Sequence, residues 1–265
     1  MVVFAGETVF AAALGSPLLT SDAAIAGLVI STRTTGSLRR IRKVAGKTFP
    51  GYFVYRSLVQ AAGLGHRLFH RLTVPDLARR RGLPPIKTAA IAADPAVLAL
   101  LPADLGVALN FDQIIPGDML AKFGRGVLNV HAGRLPHDKG ISPALWAFAR
   151  GDAEVWVSMY VMGEGIDTGR VVRQFAVAVK PGESFVAFYL RLCTEAGRQL
   201  LYVVASIAAG TAPTVVESTA GEGTYHGWPD DEVRAGLRAN KRHLMNVAGL
   251  ARLVAGLPRP RRARV

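Results

Sequence analysis

The sequence predicts an α/β fold, a largely parallel sheet covered by helices, on three observations. Short β-rich runs alternate with helical stretches instead of standing in a block. Half of the residues are apolar and 19% are charged, as in a folded domain. At 265 residues the chain suits one large domain, or one domain with a small appendage.

The elements follow in order. Val2 to Ala5 reads as a strand, Gly6 as a turn, and a helix begins near Thr8. The run IAGLVIST (25 to 32) is a second strand, and IKTAAIA (86 to 92), LGVALNF (105 to 111) and GVLNV (126 to 130) supply three more. IIPGDMLAKFG is a turn and a short helix ended by Gly124. In GISPALWAFARGD (140 to 152), Ser142 is the expected N-cap, Pro143 the first helical residue and Gly151 the stop. EVWVSMYVM and GRVVRQFAVAV alternate around GEGIDTG and predict a hairpin whose loop projects from the sheet. Ser184 to Ala209 is a long helix with Phe185, Phe188, Leu192 and Cys193 on one face and Gly210 as its stop.

Two stretches depart from the alternation. Residues 33 to 75 are too long for an ordinary connection, and GYFVYRSLVQAAGLGHRLFHRL inside them predicts an inserted, packed helical pair with a solvated basic face. A membrane-surface helix is the other reading of that stretch. From about 211 the chain offers a strand, TAPTVVE, then a Gly-rich turn and one polar helix over about 230 to 255.

Charge is uneven. The 32 basic and 19 acidic residues give +13, and from Arg33 to Pro75 there is no acid at all. A second basic cluster runs from Arg79 to Arg81, and the chain ends PRPRRARV. Such a surface attracts nucleotides, polyglutamate tails, nucleic acid or acidic headgroups alike. The single cysteine, Cys193, excludes an internal disulfide framework and any multi-cysteine metal site. The N-terminus lacks a basic segment and carries Glu7, unlike a signal peptide. No apolar run approaches the roughly 18 residues of a membrane span, and the expectation is a soluble, cytoplasmic protein.

The chemistry centres on GVLNVHAGRLP (126 to 136), where Asn129 and His131 interrupt an apolar strand. Two residues apart on a strand, they face the same space. They stand at the C-terminal end of a strand, where open α/β sheets form crevices. An amide donor and an imidazole suit a carbonyl oxygen gaining negative charge. Asp167, flanked by Gly163, Gly165 and Gly169, is the candidate to fix the imidazole's protonation state. Singly, each has an ordinary structural reading: a core histidine, a turn aspartate.

Together these residues resemble the folate-dependent formyltransferases, a family that includes glycinamide ribonucleotide, methionyl-tRNA and amino-sugar N-formyltransferases. The family carries an Asn-x-His strand end, an HPSLLP…G…P…WA segment and a Leu-Asp-x-Gly loop. Here these read NVHAGRLPHDKGISPALWA and GIDTG, and the 36-residue step from His131 to Asp167 matches the family's. The likeness covers most of residues 1 to 210 and thins in 33 to 75 and after 210.

The resemblance implies a Rossmann-like formyltransferase core over 1–210 with a short extension over 211–265. It implies 10-formyltetrahydrofolate as donor, a primary amine as acceptor, no metal, and Asn129, His131 and Asp167 as the catalytic residues. The folate would lie against Asn110, Phe111, Ile115 and Pro116, the turn of Gly133, Leu135 and Pro136, and the loop residues Gly165 and Ile166. Two departures stand out: Ala132-Gly133-Arg134 replaces the family's Pro-Ser-Leu, and Phe111 replaces a tyrosine.

Methionyl-tRNA formyltransferases carry a further barrel domain of around a hundred residues, whereas 55 residues follow Gly210. The resemblance therefore implies a small amine over tRNA: an amino sugar, a nucleotide-linked sugar or a biosynthetic natural-product intermediate. Either the folate is held differently at the Ala132-Gly133-Arg134 turn or Arg134 meets an anionic acceptor, and Tyr225 or Trp228 in GTYHGWPDDE would stack on the acceptor, unless those rings simply anchor the tail. A homodimer is compatible with the sequence. Two other functions stay open: a 10-formyltetrahydrofolate hydrolase using the same residues, and a non-catalytic module binding anions or nucleic acid.

Overall fold

The structure, a computed structural model, describes residues 1–33, 46–68, 73–217, 220–221 and 223–255, the side chains of 63–68 excepted. Its centre is a seven-stranded sheet in the order β3-β2-β1-β4-β5-β7-β8. The strands are β1 (Val2–Gly6), β2 (Gly27–Ser31), β3 (Ile86–Thr88), β4 (Gly106–Leu109), β5 (Val127–His131), β7 (Glu154–Met162) and β8 (Gly169–Ala178). From β3 to β5 every pairing is parallel, and β7 and β8 close the edge antiparallel.

Alternate residues explain how both faces are filled. Val3 and Ala5 of β1 belong to one core, Val2 and Phe4 to another. That is the period of two expected of a strand, in a sheet buried on both sides. The larger core is completed by α1 (Val9–Thr20), α6 (Pro143–Arg150) and α7 (Phe185–Ala208). Thr8 caps α1 by accepting from Ala11 N at 3.0 Å. Gly197 lets α7 lie on α1, since a Cβ there would stand 2.6 Å from Leu14 O. The smaller core is closed by α4 (Pro95–Leu98) and α5 (Gly117–Leu120).

The stretch 33–75 contributes α2 (Pro50–Leu68), and α3 (Val74–Arg80), with a Thr73/Asp76 capping box, follows it. Within GYFVYRSLVQAAGLGHRLFHRL the described residues form one long helix, not a pair. Arg39, Arg40, Arg42, Lys43 and Arg71 of the expected basic face lie outside the described residues, as does the Arg-rich C-terminus.

Several expectations are corrected. IKTAAIA is a strand only to Thr88 and then a 3-10 turn over Ile91–Ala93. TAPTVVE forms no strand: only Val216 pairs, with Val171. The helix expected over 230 to 255 is two, α8 (Asp231–Ala239) and α9 (Val247–Ala255). Asn240 ends the first, and Lys241 takes a left-handed φ of 51° that no helix continues. Ser142 starts α6 without capping it, because its own backbone is left-handed at φ 53° and its hydroxyl goes elsewhere. A small parallel ribbon was not expected: β6 (Asp138–Gly140) pairs with β9 (Thr224–His226), tying the tail to the loop after β5. Among the described residues no helix is long and apolar enough to cross a membrane.

Candidate active site

The ends of β1, β4 and β5 meet at one edge of the sheet, and a cavity of about 370 Å³ opens there. Asn129, His131 and Asp167 all line it. His131 and Asp167 are buried, with the imidazole Nδ1 3.3 Å from the Asp167 carboxylate.

The strand register builds the rest. Asn129 stands directly across from Tyr160 in the antiparallel β5–β7 pair, and its amide donates to the phenol oxygen at 3.0 Å. The phenol in turn donates to Asp167 at 3.1 Å, and the backbone N–H of Gly140 donates to the other carboxylate oxygen at 2.6 Å. A register shift between Met159 and Tyr160 lies beside this residue, a common device for aiming a side chain at a site. Asp167 itself takes a left-handed φ of 53° at the hairpin tip, a conformation that aspartate tolerates better than most residues.

The network sets the charges. Burial works against ionised Asp167 more than any other single influence, yet the bond and charge of His131, the Gly140 N–H and the Tyr160 hydroxyl together hold its pKa below the usual value. Burial likewise opposes charge on His131, and Asp167 with the Asp138 carbonyl overcomes it, so the imidazole pKa is raised. Burial first, and then the neighbouring carboxylate, push the Tyr160 phenol up and keep it neutral. The result is an imidazole whose protonated form a buried carboxylate favours, with an amide donor beside it.

His131 Nε2 lies 2.6 Å from the backbone oxygen of Asp138, so both ring nitrogens have acceptors. Gly133 permits this packing, since a Cβ there would stand 2.8 Å from Nε2. The Asp138 carboxylate meets His226 at 3.1 Å and Arg150 at 3.3 Å. Tail and α6 thus hold the segment that touches the histidine.

The residues expected beside a folate separate into three groups. Asn110 and Phe111 line the cavity, together with Asp112. Ile115 and Leu135 are buried in hydrophobic clusters, Pro116 is half-buried, and Gly133 and Pro136 are buried in the turn after β5. Gly165 and Ile166 are exposed on the hairpin loop. Of the residues expected at an acceptor, Arg134 is exposed with its guanidinium 4.6 Å from the Trp156 ring centre. Tyr225 is half exposed on β9, and Trp228 packs on the larger core under the Arg56 guanidinium. None of these three lines the cavity.

Sequence reading missed Tyr160, Gly140 and Asp138 around the histidine, and the wall supplied by α2. That wall is Tyr52, Tyr55, Arg56, Val59 and Gln60. Its spacing of i, i+3, i+4, i+7 and i+8 is one face of a helix and was legible as such; what it faces was not. Among the described residues no cluster of three metal-ligating side chains occurs.

The site lies within a match to a known family. The formyl transferase profile matches residues 76–204, which include all three of Asn129, His131 and Asp167. The methionyl-tRNA formyltransferase of Myxococcus xanthus is 32% identical over 150 residues, covering 56% of this chain and 48% of that one. That of Acidiphilium cryptum is 33% identical over 171 residues, covering 63% and 55%. The chain spans about half the length of the curated relatives it matches. In fold it is similar to a Helicobacter canadensis N-formyltransferase solved with folinic acid and dTDP-3-aminofucose, with a TM-score of 0.57 at 13% identity over 90% of this chain and 80% of that one.

The relatives correct one expectation. A tRNA acceptor was disfavoured because only a short segment follows Gly210, yet the curated relatives are methionyl-tRNA formyltransferases. Where this chain stops carries no weight against that.

Proposed function

We propose that this chain belongs to the formyl transferase family that its residues 76–204 match, and that it moves a formyl group from 10-formyltetrahydrofolate to a primary amine. The observation that carries the reading is the convergence of Asn129, His131 and Asp167 on one cavity, with the carboxylate 3.3 Å from the imidazole.

The residues at the end of β4 fit such a donor. Asn110 turns left-handed at φ 49° as the strand ends, so the main-chain groups of 110 to 112 leave the ladder beside the cavity. A flat heteroaromatic amide edge is matched by such groups next to the Phe111 ring. Glu164 of the hairpin loop reaches Gly117, so that loop and the segment after β4 are neighbours, and each carries an exposed isoleucine, Ile166 and Ile114. The donor supplies an already activated formyl carbonyl.

The chain's own groups then have distinct tasks. Asp167, fixed by three donors, keeps His131 charged and oriented. The Asn129 amide has one N–H on Tyr160 and a second to offer an oxygen that gains negative charge as the amine adds. The imidazolium stabilises the same oxygen by its charge. To hand on a proton, His131 must first release the Asp138 carbonyl, and the pair then passes the proton lost by the amine to the departing nitrogen, directly or through water.

The names of the relatives favour methionyl-tRNA as the acceptor, and the +13 charge suits a polyanion. A nucleotide-linked amino sugar is the second reading, favoured by the ligand of the fold neighbour. The test incubates the protein with 10-formyltetrahydrofolate and either acceptor, or no amine, and follows tetrahydrofolate, formate and formylated product. Amine-dependent formyl transfer is expected. Formate without any amine would make water the acceptor, and no turnover in any arm would overturn the reading.

A further inference from the structure

The cavity has a second wall, and it carries a cation that the formyl-transfer chemistry does not use. Tyr52, Tyr55, Arg56, Val59 and Gln60 present one face of α2 to the space that holds the triad. The helix is fixed there. Tyr52 and Ser142 share a hydroxyl–hydroxyl bond of 3.1 Å, and the Tyr55 ring packs between Tyr52 at 5.8 Å and Phe185 at 5.9 Å. Arg56 has no acidic partner among the described residues. Its guanidinium is held 5.5 Å from the centre of the Trp228 ring, a support that orients the fork without neutralising it.

Charge along the cavity is therefore divided. Glu7, Asp112 and Asp167 line it together with the Asn129–His131 strand end, and Glu7 also stands 3.8 Å from Lys87. Arg56 lies on the helix wall. A ligand with a primary amine and a separate negative group matches this division: amine among the acids, anion on the guanidinium. A wholly cationic or wholly neutral amine leaves Arg56 in the cavity wall without a counter-charge.

We propose that α2 forms the anchoring subsite for the acceptor, in which Arg56, backed by Trp228, binds an anionic group, a phosphate or a carboxylate, carried by the amine substrate. The word acceptor rests on the formyl-transfer reading; the anion site stands on the cavity alone.

Calorimetric titration at fixed ionic strength with pyrophosphate, and in a second arm with citrate, tests it on wild type, Arg56→Gln, Arg56→Lys and the surface control Arg198→Gln. Thermal melting and tetrahydrofolate binding are followed in each. Wild type binds one of the anions, with pyrophosphate the tighter for a phosphate source and citrate for a carboxylate. Arg56→Gln weakens it about tenfold or more, the loss expected of one charge-assisted contact. Arg56→Lys retains part of the binding, and Arg198→Gln all of it. Absent binding in wild type, equal binding in Arg56→Gln, or an equal loss in Arg198→Gln would each overturn the site. If tetrahydrofolate fails to bind while Arg56-dependent anion binding persists, the formyl-transfer reading falls and the subsite stands.

Discussion

The two walls of the cavity are built differently. The wall formed by β5, β7 and the hairpin tip is polar and closed on itself: Asn129 donates to Tyr160, Tyr160 to Asp167, and Asp167 also receives Gly140 and His131. Its positions are set by strand register, which leaves a side chain little freedom. The wall formed by α2 is held by tilted ring contacts from Phe49 through Tyr55 to Phe185, with a Tyr52–Ser142 hydroxyl pair as a polar tie. The contrast teaches that the groups proposed to react are held by the sheet, while α2 leaves its charge, Arg56, available for a ligand. Chemistry needs fixed dipoles. Selectivity can be carried by a separate element on a rigid scaffold.

Asp167→Asn is the severest way to break the first wall. It removes the charge that holds His131 protonated while keeping the shape, and kcat for formyl transfer should fall by about 10²- to 10⁴-fold. Donor binding should change much less. Turnover within tenfold of wild type would mean that the pair does not set the imidazole's charge.

Tyr55→Ala attacks the second wall through packing. The residue is 7% exposed and joins α2 to the larger core, so denaturant unfolding should show a loss of about 3 kcal/mol or more. A loss below about 1 kcal/mol would mean that the helix is not anchored by its rings. A substitution on the polar wall is gentler: Tyr160→Phe removes one hydroxyl but leaves the half-buried Asn129 amide and the buried Asp167 carboxylate each short of a partner, at about 1–3 kcal/mol. Tyr160 acts through Asn129 and Asp167, so kcat should drop with little change in KM, and the pH profile should shift.

The pH dependence sharpens the comparison further. His131 has a raised pKa, so its contribution to stability is complete below the usual 6.5 and is lost as pH rises through its folded value. Asp167 has a lowered pKa, so its contribution is present above 3.8 and is lost as pH falls through its folded value. The pair therefore stabilises most between those limits. The stability difference between wild type and His131→Asn, measured by denaturant unfolding, should be larger near pH 5.5 than near pH 9. A pH-independent difference would argue against an ion pair.

Much of this was legible beforehand. Val2 to Ala5, the two strands flanking GEGIDTG and the long helix from Phe185 were readable because each element's periodicity is set by its own burial. Asn129, His131 and Asp167 were findable because polar residues in an apolar strand and a Gly-framed loop contradict their surroundings. Other features were not local. Ser142 looks like a cap but adopts a left-handed backbone and pairs with Tyr52, 90 residues away in sequence. The break at Asn240 and Lys241 lies inside an otherwise helical pattern.

By itself the sequence determined the parallel core and the hairpin, since these follow from hydrophobic period and turn chemistry, and it singled out Asn129, His131 and Asp167, which line one cavity. Tertiary structure alone decided that Tyr160 faces Asn129, that Gly140 supports Asp167, and that α2 turns Tyr52, Tyr55 and Arg56 toward the same cavity. The physical reason is that register between strands and the packing direction of a helix are fixed by contacts between residues far apart in the chain, and no local stretch encodes them.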